Sequence, residues 1–496
     1  MTTKSDVLKS LNIGSGVAEL ELDHIERYFV ETNQWEDLFE GKVDLVYGSK
    51  GVGKSALYSL LRKRSDDLQR SHIIVATAEN PTGQTVFRSL EIDPPPTELE
   101  FKLVWKLYSL IVVLDSLHNS GVVNKGIREA RQLVADAGLP VDQTQLSKAF
   151  TAVRRLVKRV MRGPESVETS VSHEISGAVT FTSKLNLLTA DNDPETLMES
   201  VDDALRLVDE ALVEADRKVW LLYDRLDVAF SQGTALEKNA LRSLFRAYSD
   251  MFDLKNIRLK IFVRSDIWRR LAEGGFSEAS HLKRRITVDW DEKSLKNLVI
   301  RRLISNDSLC AYLDVSRDKV LSSEQLQEQV LTRVFPDQME IGPNKPKTFG
   351  WILRRTADGL GNNAPREIIQ LLDSLRRKQI ARLEQGGAQH ESEVLFDRTL
   401  FKSALAEVST ERYEQTFLAE FPDFKVRTES LRGRRAEHNP QTLGELWNLP
   451  LDEAGRIAEE LFSVGFFERR GQRPEFSYRV PFVYWPTLEI VQGRAF

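Results

Sequence analysis

Short apolar runs alternate with longer stretches of helical period along the chain as far as Trp290. The apolar runs are rich in Val, Leu and Ile and are too short for helices, which is typical of buried strands. These runs are Lys42–Gly48, Ser71–Ala78, Lys218–Asp227, Ile257–Asp266 and Arg284–Trp290. The helical stretches are Lys54–Arg64, Thr97–Arg162 with a break near Ala137, and Pro194–Ala215. Strands that alternate with helices predict an α/β fold with a parallel sheet covered on both faces.

The remaining segments have other patterns. From Glu292 to about Gln385 the apolar positions keep helical spacing, which predicts a helical region. After the linker-like "EQGGAQHES" come further helices and then "GFFERRGQRPEFSYRVPF", two strand-like runs joined by a turn. Helices followed by such a ribbon are typical of a winged helix. Alternation of apolar and polar residues from Ser166 to Lys184 predicts an exposed β-hairpin.

A glycine-rich turn lies between the first predicted strand and the helix that follows it. Its sequence, GSKGVGKS, satisfies the phosphate-loop pattern G-x-x-x-x-G-K-[ST]. Glycines let the backbone curl so that successive N–H groups face phosphate oxygens, and the helix N-terminus adds partial positive charge. We expect Lys54 to reach the β- and γ-phosphates and the Ser55 hydroxyl to ligate Mg²⁺. A turn that binds nothing is the alternative. The predicted nucleotide-binding residues are Gly48, Ser49, Lys50, Gly51, Val52, Gly53, Lys54, Ser55 and Ala56.

Asp224 follows an apolar run, so it is expected at the carboxyl edge of the sheet, where the phosphates of a bound nucleotide would lie. We predict that it supports Mg²⁺, through a water molecule. An ordinary acid at a strand end is the alternative. The nearest match to a guanine-binding motif, Asn344 to Lys347, lacks the aspartate, so adenine is the default base. The expected ligands are therefore ATP and Mg²⁺.

These features together predict an α/β P-loop NTPase in five parts. The parts are the start of the ATPase core (1–96), a helical insertion with the hairpin (97–193), the continued core (194–291), a helical lid (292–385) and a C-terminal winged-helix-like domain (386–496).

Composition narrows the class of protein further. The 496 residues carry a net charge of -5, which argues against nucleic-acid binding over the whole surface but not against one basic patch. The one cysteine, Cys310, cannot form an internal disulfide, which favours a reducing cytoplasm. No apolar run is long enough for a membrane span. We expect a cytoplasmic protein that does not enter a membrane.

The motifs make the sequence resemble the AAA+-like P-loop ATPases of the prokaryotic STAND, KAP and origin-recognition branch. It is most similar to stand-alone bacterial ATPases of antiviral defence loci. The resemblance covers roughly residues 15 to 385 plus the winged helix, and it rests on the phosphate loop followed by "LLYDRLD", "IFVRSDIW" and "GNNAPREIIQLLDSL". It implies an ATP-hydrolysing switch that couples nucleotide state to oligomer or partner assembly, in antiphage defence. The implied partners are further copies of the chain and a protein effector.

The resemblance also implies roles for four further residues. Asp224 and Asp227 look like the paired aspartates of such ATPases. Arg264, or Ser265 after it, looks like the sensor of the γ-phosphate, with a salt bridge as the alternative role for the arginine. Arg366 looks like the second sensor, on the lid, with a capping or surface arginine as the alternative.

One position departs from the family pattern. Many AAA+ enzymes have Glu directly after the Mg²⁺ aspartate, whereas this chain has Arg225. Asp227 or a partner could supply the base instead. If neither does, the chain binds ATP and hydrolyses it slowly. Arg284 and Arg285 are candidates for an arginine finger, with a salt bridge as the alternative.

Two other functions stay open. The first is a DNA-binding initiator or loader, because basic residues lie at Lys425–Arg435 and Arg469–Arg473. The would-be recognition helix, Leu451–Phe462, is acidic, which is the wrong charge for a major groove and suits protein contact equally well. The second is a scaffold that binds ATP without hydrolysing it.

Overall fold

The computed structural model describes residues 3–16, 20–22, 25–78, 97–140, 146–162, 194–226, 234–273, 282–386, 393–472 and 476–496. Two of the predicted features lie outside these ranges. One is the β-hairpin at Ser166–Lys184, and the other is Asp227. The elements as far as residue 287 are α1 (Lys4–Ser10), α2 (Ile25–Tyr28), α3 (Asn33–Phe39), β1 (Leu45–Gly48), α4 (Lys54–Lys63), α5 (Ser65–Arg70), β2 (Ile73–Thr77), α6 (Glu98–Asn119), α7 (Lys125–Asp136), α8 (Leu146–Arg162), α9 (Pro194–Glu214), β3 (Lys218–Tyr223), α10 (Thr234–Asp250), β4 (Ile257–Arg264), α11 (Ser265–Glu273) and β5 (Arg285–Thr287).

The elements after residue 287 are mostly helical. They are α12 (Glu292–Ile304), α13 (Asp307–Leu313), α14 (Arg317–Leu321), α15 (Glu324–Val334), α16 (Thr348–Thr356), α17 (Pro365–Glu384), α18 (Phe401–Glu411), the π-helical segment Arg412–Phe417, α19 (Leu418–Glu420), α20 (Lys425–Glu429), β6 (Arg435–His438), α21 (Pro440–Trp447), α22 (Leu451–Ser463), β7 (Glu468–Arg470), β8 (Ser477–Arg479), α23 (Trp485–Leu488) and β9 (Val491–Arg494). Within the described ranges, no helix combines the length and apolar character that crossing a membrane requires.

The chain forms two units, and each is described by itself. The sheet unit comprises Asn33–Gly48 and Lys54–Thr287. The lid unit comprises Met1–Thr32, Ser49–Gly53 and Val288–Phe496, so it includes the middle of the phosphate loop.

The sheet unit is built on five parallel strands in the order β2-β3-β4-β1-β5. In this register Ile261 of β4 lies beside both Leu45 of β1 and Tyr223 of β3. Most of the strand residues are buried on both faces, which is why the runs were continuously apolar rather than alternating. The predicted α/β fold with a parallel sheet is confirmed.

Four strands end earlier than the sequence pattern predicted, among them β2 at Thr77 and β5 at Thr287. β3 ends at Tyr223 rather than at Asp227, and β4 ends at Arg264. Ser265 and Asp266 begin α11 instead, where the negative charge of Asp266 in the first turn favours a helix N-terminus.

Helix α6 packs against the sheet unit's core rather than standing apart from it. The Trp105 indole N–H donates to the Ala240 carbonyl at 2.8 Å, and the Tyr108 hydroxyl donates to the Ala78 carbonyl at 2.8 Å. The hydroxyls of Ser109 and Tyr223 are also 2.8 Å apart, which joins the helix to β3. One apolar cluster includes α6, α7, α8 and the strands. The five-part division of the chain stays a prediction.

A buried charge cluster lies at the start of β1. Asp44 and Lys260 are both fully buried, and Lys260 Nζ is 3.0 Å from Asp44 Oδ1. Arg284 Nε is 2.7 Å from Asp44 Oδ2, and the Tyr248 hydroxyl donates to the same oxygen at 3.1 Å. Burial lowers the pKa of Lys260 to about 8, and Asp44 opposes that effect. The ion pair favours the salt-bridge alternative for Arg284.

The lid unit contains two apolar clusters. One joins α1 to the helices from α12 to α18, and the other fills the C-terminal part. In the C-terminal part, α21 and α22 are followed by the antiparallel strands β7 and β8, in a sheet of order β7-β8-β6-β9. This order of two helices and a ribbon agrees with the winged-helix-like domain that the sequence predicted.

The N-terminal segment is fastened to the lid helices by a buried ion pair. Arg302 Nη2 is 2.8 Å from Glu21 Oε2, and the Tyr28 hydroxyl donates to the same oxygen at 2.8 Å. Burial raises the pKa of Glu21, but Arg302 and Tyr28 outweigh it, so the pKa is lowered overall. The charged carboxylate thereby ties residues far apart in sequence into one unit.

We predict that Asp44→Asn lowers the free energy of unfolding by about 3 kcal/mol, because it leaves the Lys260 ammonium buried without its counter-charge. Chemical denaturation measures the change. The control Asp37→Asn removes an exposed carboxylate that lies 3.3 Å from Lys42, and should cost less than about 1 kcal/mol. Equal losses in the two variants would contradict a stabilising role for the cluster.

Candidate nucleotide site

The glycine loop joins the end of β1 to the start of α4, as predicted. Gly51 has φ +88° and Gly53 has φ 105°, in the left-handed region that glycine adopts without strain. Within the part of the chain that the structure describes, the backbone N–H groups of Gly51, Val52 and Gly53 donate to no protein acceptor. Such donors directly before a helix N-terminus, which carries partial positive charge, are suited to an anion.

Lys54, the first residue of α4, turns its side chain back toward the loop's first residue. Its Nζ donates to the Gly48 carbonyl oxygen at 2.7 Å. Lys54, Ser55 and Ala56 are half-buried in the first turn of the helix. A phosphate oxygen carries negative charge and is a stronger acceptor for an ammonium group than a neutral carbonyl is. The lysine is therefore held at the loop by an acceptor that a phosphate can replace.

Asp224 is the first residue after β3 and is 6% exposed. One strand, β4, separates β3 from β1, which corresponds to about 10 Å between their axes. Because both strands are parallel, Asp224 and Gly48 lie at the same edge of the sheet. Arg225 follows with φ 57°, so the chain turns away in the left-handed region immediately after the aspartate.

Arg264 ends β4 and lies beside Gly48 in the register of the sheet. The Arg264 guanidinium binds the Asp266 carboxylate through two hydrogen bonds of 2.9 and 2.8 Å, and its side chain is 14% exposed. This is the salt-bridge alternative named for Arg264. A sensor role would require the arginine to exchange Asp266 for a phosphate. Ser265, the other candidate, begins α11.

In the lid unit, Arg366 lies against the phosphate loop. It is the second residue of α17, and a Cβ on Gly51 would be 3.2 Å from its Cβ. Its Nε is buried and has no hydrogen-bond partner among the described residues. The Trp290 indole N–H donates to the Val52 carbonyl at 2.7 Å, so the segment before α12 also contacts the loop. The structure thus brings the predicted lid arginine to the loop.

Lys50 is one of the predicted nucleotide-binding residues, and its side chain contacts the C-terminal part of the lid unit. Its Nζ donates to the Gln415 carbonyl at 3.0 Å and lies 3.9 Å from Glu420 Oε1. The two partners are 365 residues and more away in sequence, so no local pattern could have indicated this contact.

Three of the predicted basic residues of the C-terminal part lie beside carboxylates, whereas Arg435 donates to the Gln492 carbonyl. Arg469 lies 3.0 Å from Glu459, and Arg470 lies 3.0 Å from Glu468. In the segment before β6, Arg432 lies 2.9 Å from Glu429. Cations neutralised within the protein contribute less to binding a nucleic-acid backbone. The pairing weighs against a DNA interface at the wing, although Arg473 lies outside the described residues.

No family model and no curated protein matches this sequence. Among solved structures, the Aeropyrum pernix ORC2 protein in its ADPNP-ADP complexes aligns over 92% of this chain and 90% of its own, at 11% identity and a TM-score of 0.43. The ADP form of ORC2 aligns over 97% of this chain and 93% of its own, at 12% identity and a TM-score of 0.31. Both alignments are too loose to carry an argument, so the fold assignment rests on the order and register of the sheet.

We predict that Gly51→Ala weakens ATP binding at least about tenfold, because its Cβ would push against Arg366 in a left-handed conformation. Gly138→Ala is the matched control. Gly138 also has a positive φ, +71°, but nothing lies within 4 Å of its Cβ position. Both variants should lose about 1 kcal/mol of stability, and only the first should lose affinity in a titration with ADPNP. Wild-type affinity in Gly51→Ala would contradict the assignment of the loop.

Proposed function

We propose that the protein binds ATP with Mg²⁺ at Gly48–Ala56 and hydrolyses it, as an AAA+-like switch. One observation carries the proposal. Backbone N–H groups from Gly51 to Gly53 lack a protein acceptor within the described ranges, directly before the N-terminus of α4, at the sheet edge that also presents Asp224. That arrangement supports binding of an anion with several oxygens, and the lysine and serine that follow support a nucleoside triphosphate.

The loop binds the phosphates through three kinds of donor. Its N–H groups donate to no acceptor among the described residues and would donate to phosphate oxygens, and the partial charge of α4 adds to their attraction. Lys54 would exchange the Gly48 carbonyl for the β- and γ-phosphates.

The residues present fit a magnesium ion. Ser55 has its hydroxyl in the first turn of α4, and Asp224 is a buried carboxylate at the end of a strand at the same edge of the sheet. Hydroxyl and carboxylate oxygens are the hard ligands that Mg²⁺ prefers. When bound, the ion neutralises charge on the β- and γ-phosphates. We therefore assign Ser55 and Asp224 to hold it.

Hydrolysis needs a group that orients or deprotonates water, and this part of the proposal rests on sequence. Arg225 occupies the position where similar ATPases have Glu, and its φ of 57° turns the chain there. A cation cannot act as a base, so we assign that role to Asp227, which lies outside the described residues. We expect slow turnover, as suits a switch.

Two arginines would report the state of the nucleotide. Arg366 lies against Gly51 at the start of α17, so a γ-phosphate at the loop could attract its guanidinium and shift the lid. Arg264, beside Gly48 in the sheet, would have to leave Asp266 for the same phosphate. Because the Asp266 carboxylate and the phosphate would compete for the Arg264 guanidinium, the position of Arg264 would depend on the negative charge of the bound nucleotide.

The resemblance extends the proposal beyond the site. It points to coupling between nucleotide state and assembly with further copies or a protein effector in antiphage defence. The acidic face of α22, where Arg456 is paired with Glu460, supports a protein partner more than DNA.

We predict that Lys54→Ala abolishes measurable ATP binding, because it removes the cation that faces the β- and γ-phosphates. Asp224→Ala should reduce Mg²⁺-dependent turnover at least about a hundredfold while leaving some metal-free nucleotide binding. Equilibrium titration and steady-state phosphate release measure the two effects. The control is Lys125→Ala, which removes a surface lysine that is 85% exposed. Wild-type affinity in Lys54→Ala would refute the site, and unchanged turnover in Asp224→Ala would refute the metal role.

We predict that Asp227→Asn binds ATP but turns it over at least about a hundredfold more slowly, because the amide cannot accept a proton from water. Single-turnover kinetics with bound ATP separate this loss from a loss of affinity. Rapid turnover by Asp227→Asn would show that another group, from this chain or a partner, acts as the base.

A further inference from the structure

Helix α8 of the sheet unit has a basic outer face. The helix carries six basic residues and no acidic one. Lys148, Arg155 and Arg159 are exposed, and Arg154 and Lys158 are half-buried. In the part of the chain that the structure describes, none of these five side chains makes a hydrogen bond or an ion pair with a carboxylate. Burial and the like charge of Arg155 lower the pKa of Arg154, as expected for a face without counter-charges.

Helix α9 of the same unit has the opposite charge. It carries seven acidic residues and one basic residue. Glu199 and Glu210 are exposed and make no side-chain hydrogen bond or ion pair within the described ranges. Asp203, between them, is also exposed and lies 2.8 Å from Arg206 of the same helix. Because residues four apart are neighbours on a helix, like charges are brought together on α8 and on α9, at a cost in stability.

The apolar faces of the two helices fix these charges on the outside of the sheet unit. On α8, the Phe150 ring packs 5.0 Å from the Tyr108 ring of α6. On α9, Val201, Leu205 and Val208 are buried. Both helices contribute to the apolar cluster that includes the strands. Because the apolar face of α8 is already packed, its basic face is open to a charged partner, but α8 has no apolar face left to enter a membrane.

We propose that a second copy of this chain binds here, with the basic face of α8 in one copy against the acidic face of α9 in the other. The two faces are opposite in sign and similar in number of charges, and no ion pair joins them among the described residues of one copy. Because every copy presents both faces, a two-fold pair makes the contact twice. The contact uses no residue of the nucleotide site, so this inference goes beyond the proposed function and does not require it.

The spacing of the charges fits an antiparallel contact between the two helices. Lys148 and Arg159 are eleven residues apart, as are Glu199 and Glu210, which corresponds to about 16 Å along each helix. Aligning these two stretches in opposite directions gives three pairs of opposite charge, which are Lys148 with Glu210, Arg155 with Asp203, and Arg159 with Glu199. Exposed ion pairs are individually weak and are screened by salt. The association should therefore be reversible and should weaken as salt is added.

Sedimentation velocity of the nucleotide-free, full-length protein tests the contact. Wild type should self-associate at about 50 mM salt and dissociate at about 500 mM salt. The α8 variant, Lys148→Glu with Arg159→Glu, and the α9 variant, Glu199→Lys with Glu210→Lys, should each self-associate at least about tenfold more weakly, because like charges then face each other. All four substitutions in one chain exchange the signs of the two faces and should restore the association.

An equimolar mixture of the α8 variant and the α9 variant supplies an independent test. Each variant is repelled by its own copies, but the reversed faces of one are complementary to the faces of the other, so the mixture should associate as wild type does. The control, Lys319→Glu with Lys402→Glu, makes the same change in net charge at two exposed lysines of α14 and α18 and should leave self-association unchanged. Circular dichroism verifies that each variant is folded.

Three outcomes overturn the proposal. One is equal self-association of wild type and both single-helix variants, and another is a mixture that does not associate. The third is a wild type that stays monomeric at about 50 mM salt, whether or not a DNA duplex or polyglutamate binds to α8. Retention of labelled ADPNP should be the same in all these variants. If self-association fails while ADPNP is retained, the proposed function stands. If wild type self-associates as expected but retains no ADPNP, only the proposed function fails.

Discussion

The structure depends on a curled stretch of backbone whose N–H groups have no acceptor within the described protein. Gly51 and Gly53 take left-handed conformations that other residues adopt only with strain. The curl leaves the donors of Gly51, Val52 and Gly53 unpaired within the described ranges, immediately before α4. The other parts of the site are arranged around these donors. The parallel sheet positions the loop, α4 adds partial positive charge, and Asp224 places a carboxylate at the same edge of the sheet.

Several cations near the loop are paired with protein groups that a phosphate can replace. Lys54 binds the Gly48 carbonyl, Lys50 binds the Gln415 carbonyl and Arg264 binds Asp266. Under the proposed function, phosphate bound at the loop would compete with these acceptors for the cations.

The backbone geometry of the loop was predictable from sequence because it depends on neighbouring residues. A glycine pattern between a strand and a helix specifies its own geometry, so β1, α4 and the position of Asp224 followed directly. The end of a strand was predicted less accurately where side-chain charge, rather than apolar content, decides whether the strand stops and a helix begins, as at Ser265 and Asp266. Contacts between distant residues were not predictable. The packing of α6 on the sheet, the pairing of Glu21 with Arg302 and the contact of Lys50 with Gln415 have no local signal.

A competition titration with ADPNP, ADP, inorganic tripolyphosphate and adenosine tests the central claim most directly. If the loop binds phosphate through backbone donors and Lys54, tripolyphosphate should displace labelled ADPNP, and adenosine should bind at least about a hundredfold more weakly than ATP. Displacement by adenosine as effective as by ATP, with none by tripolyphosphate, would contradict the claim that this loop is a phosphate site.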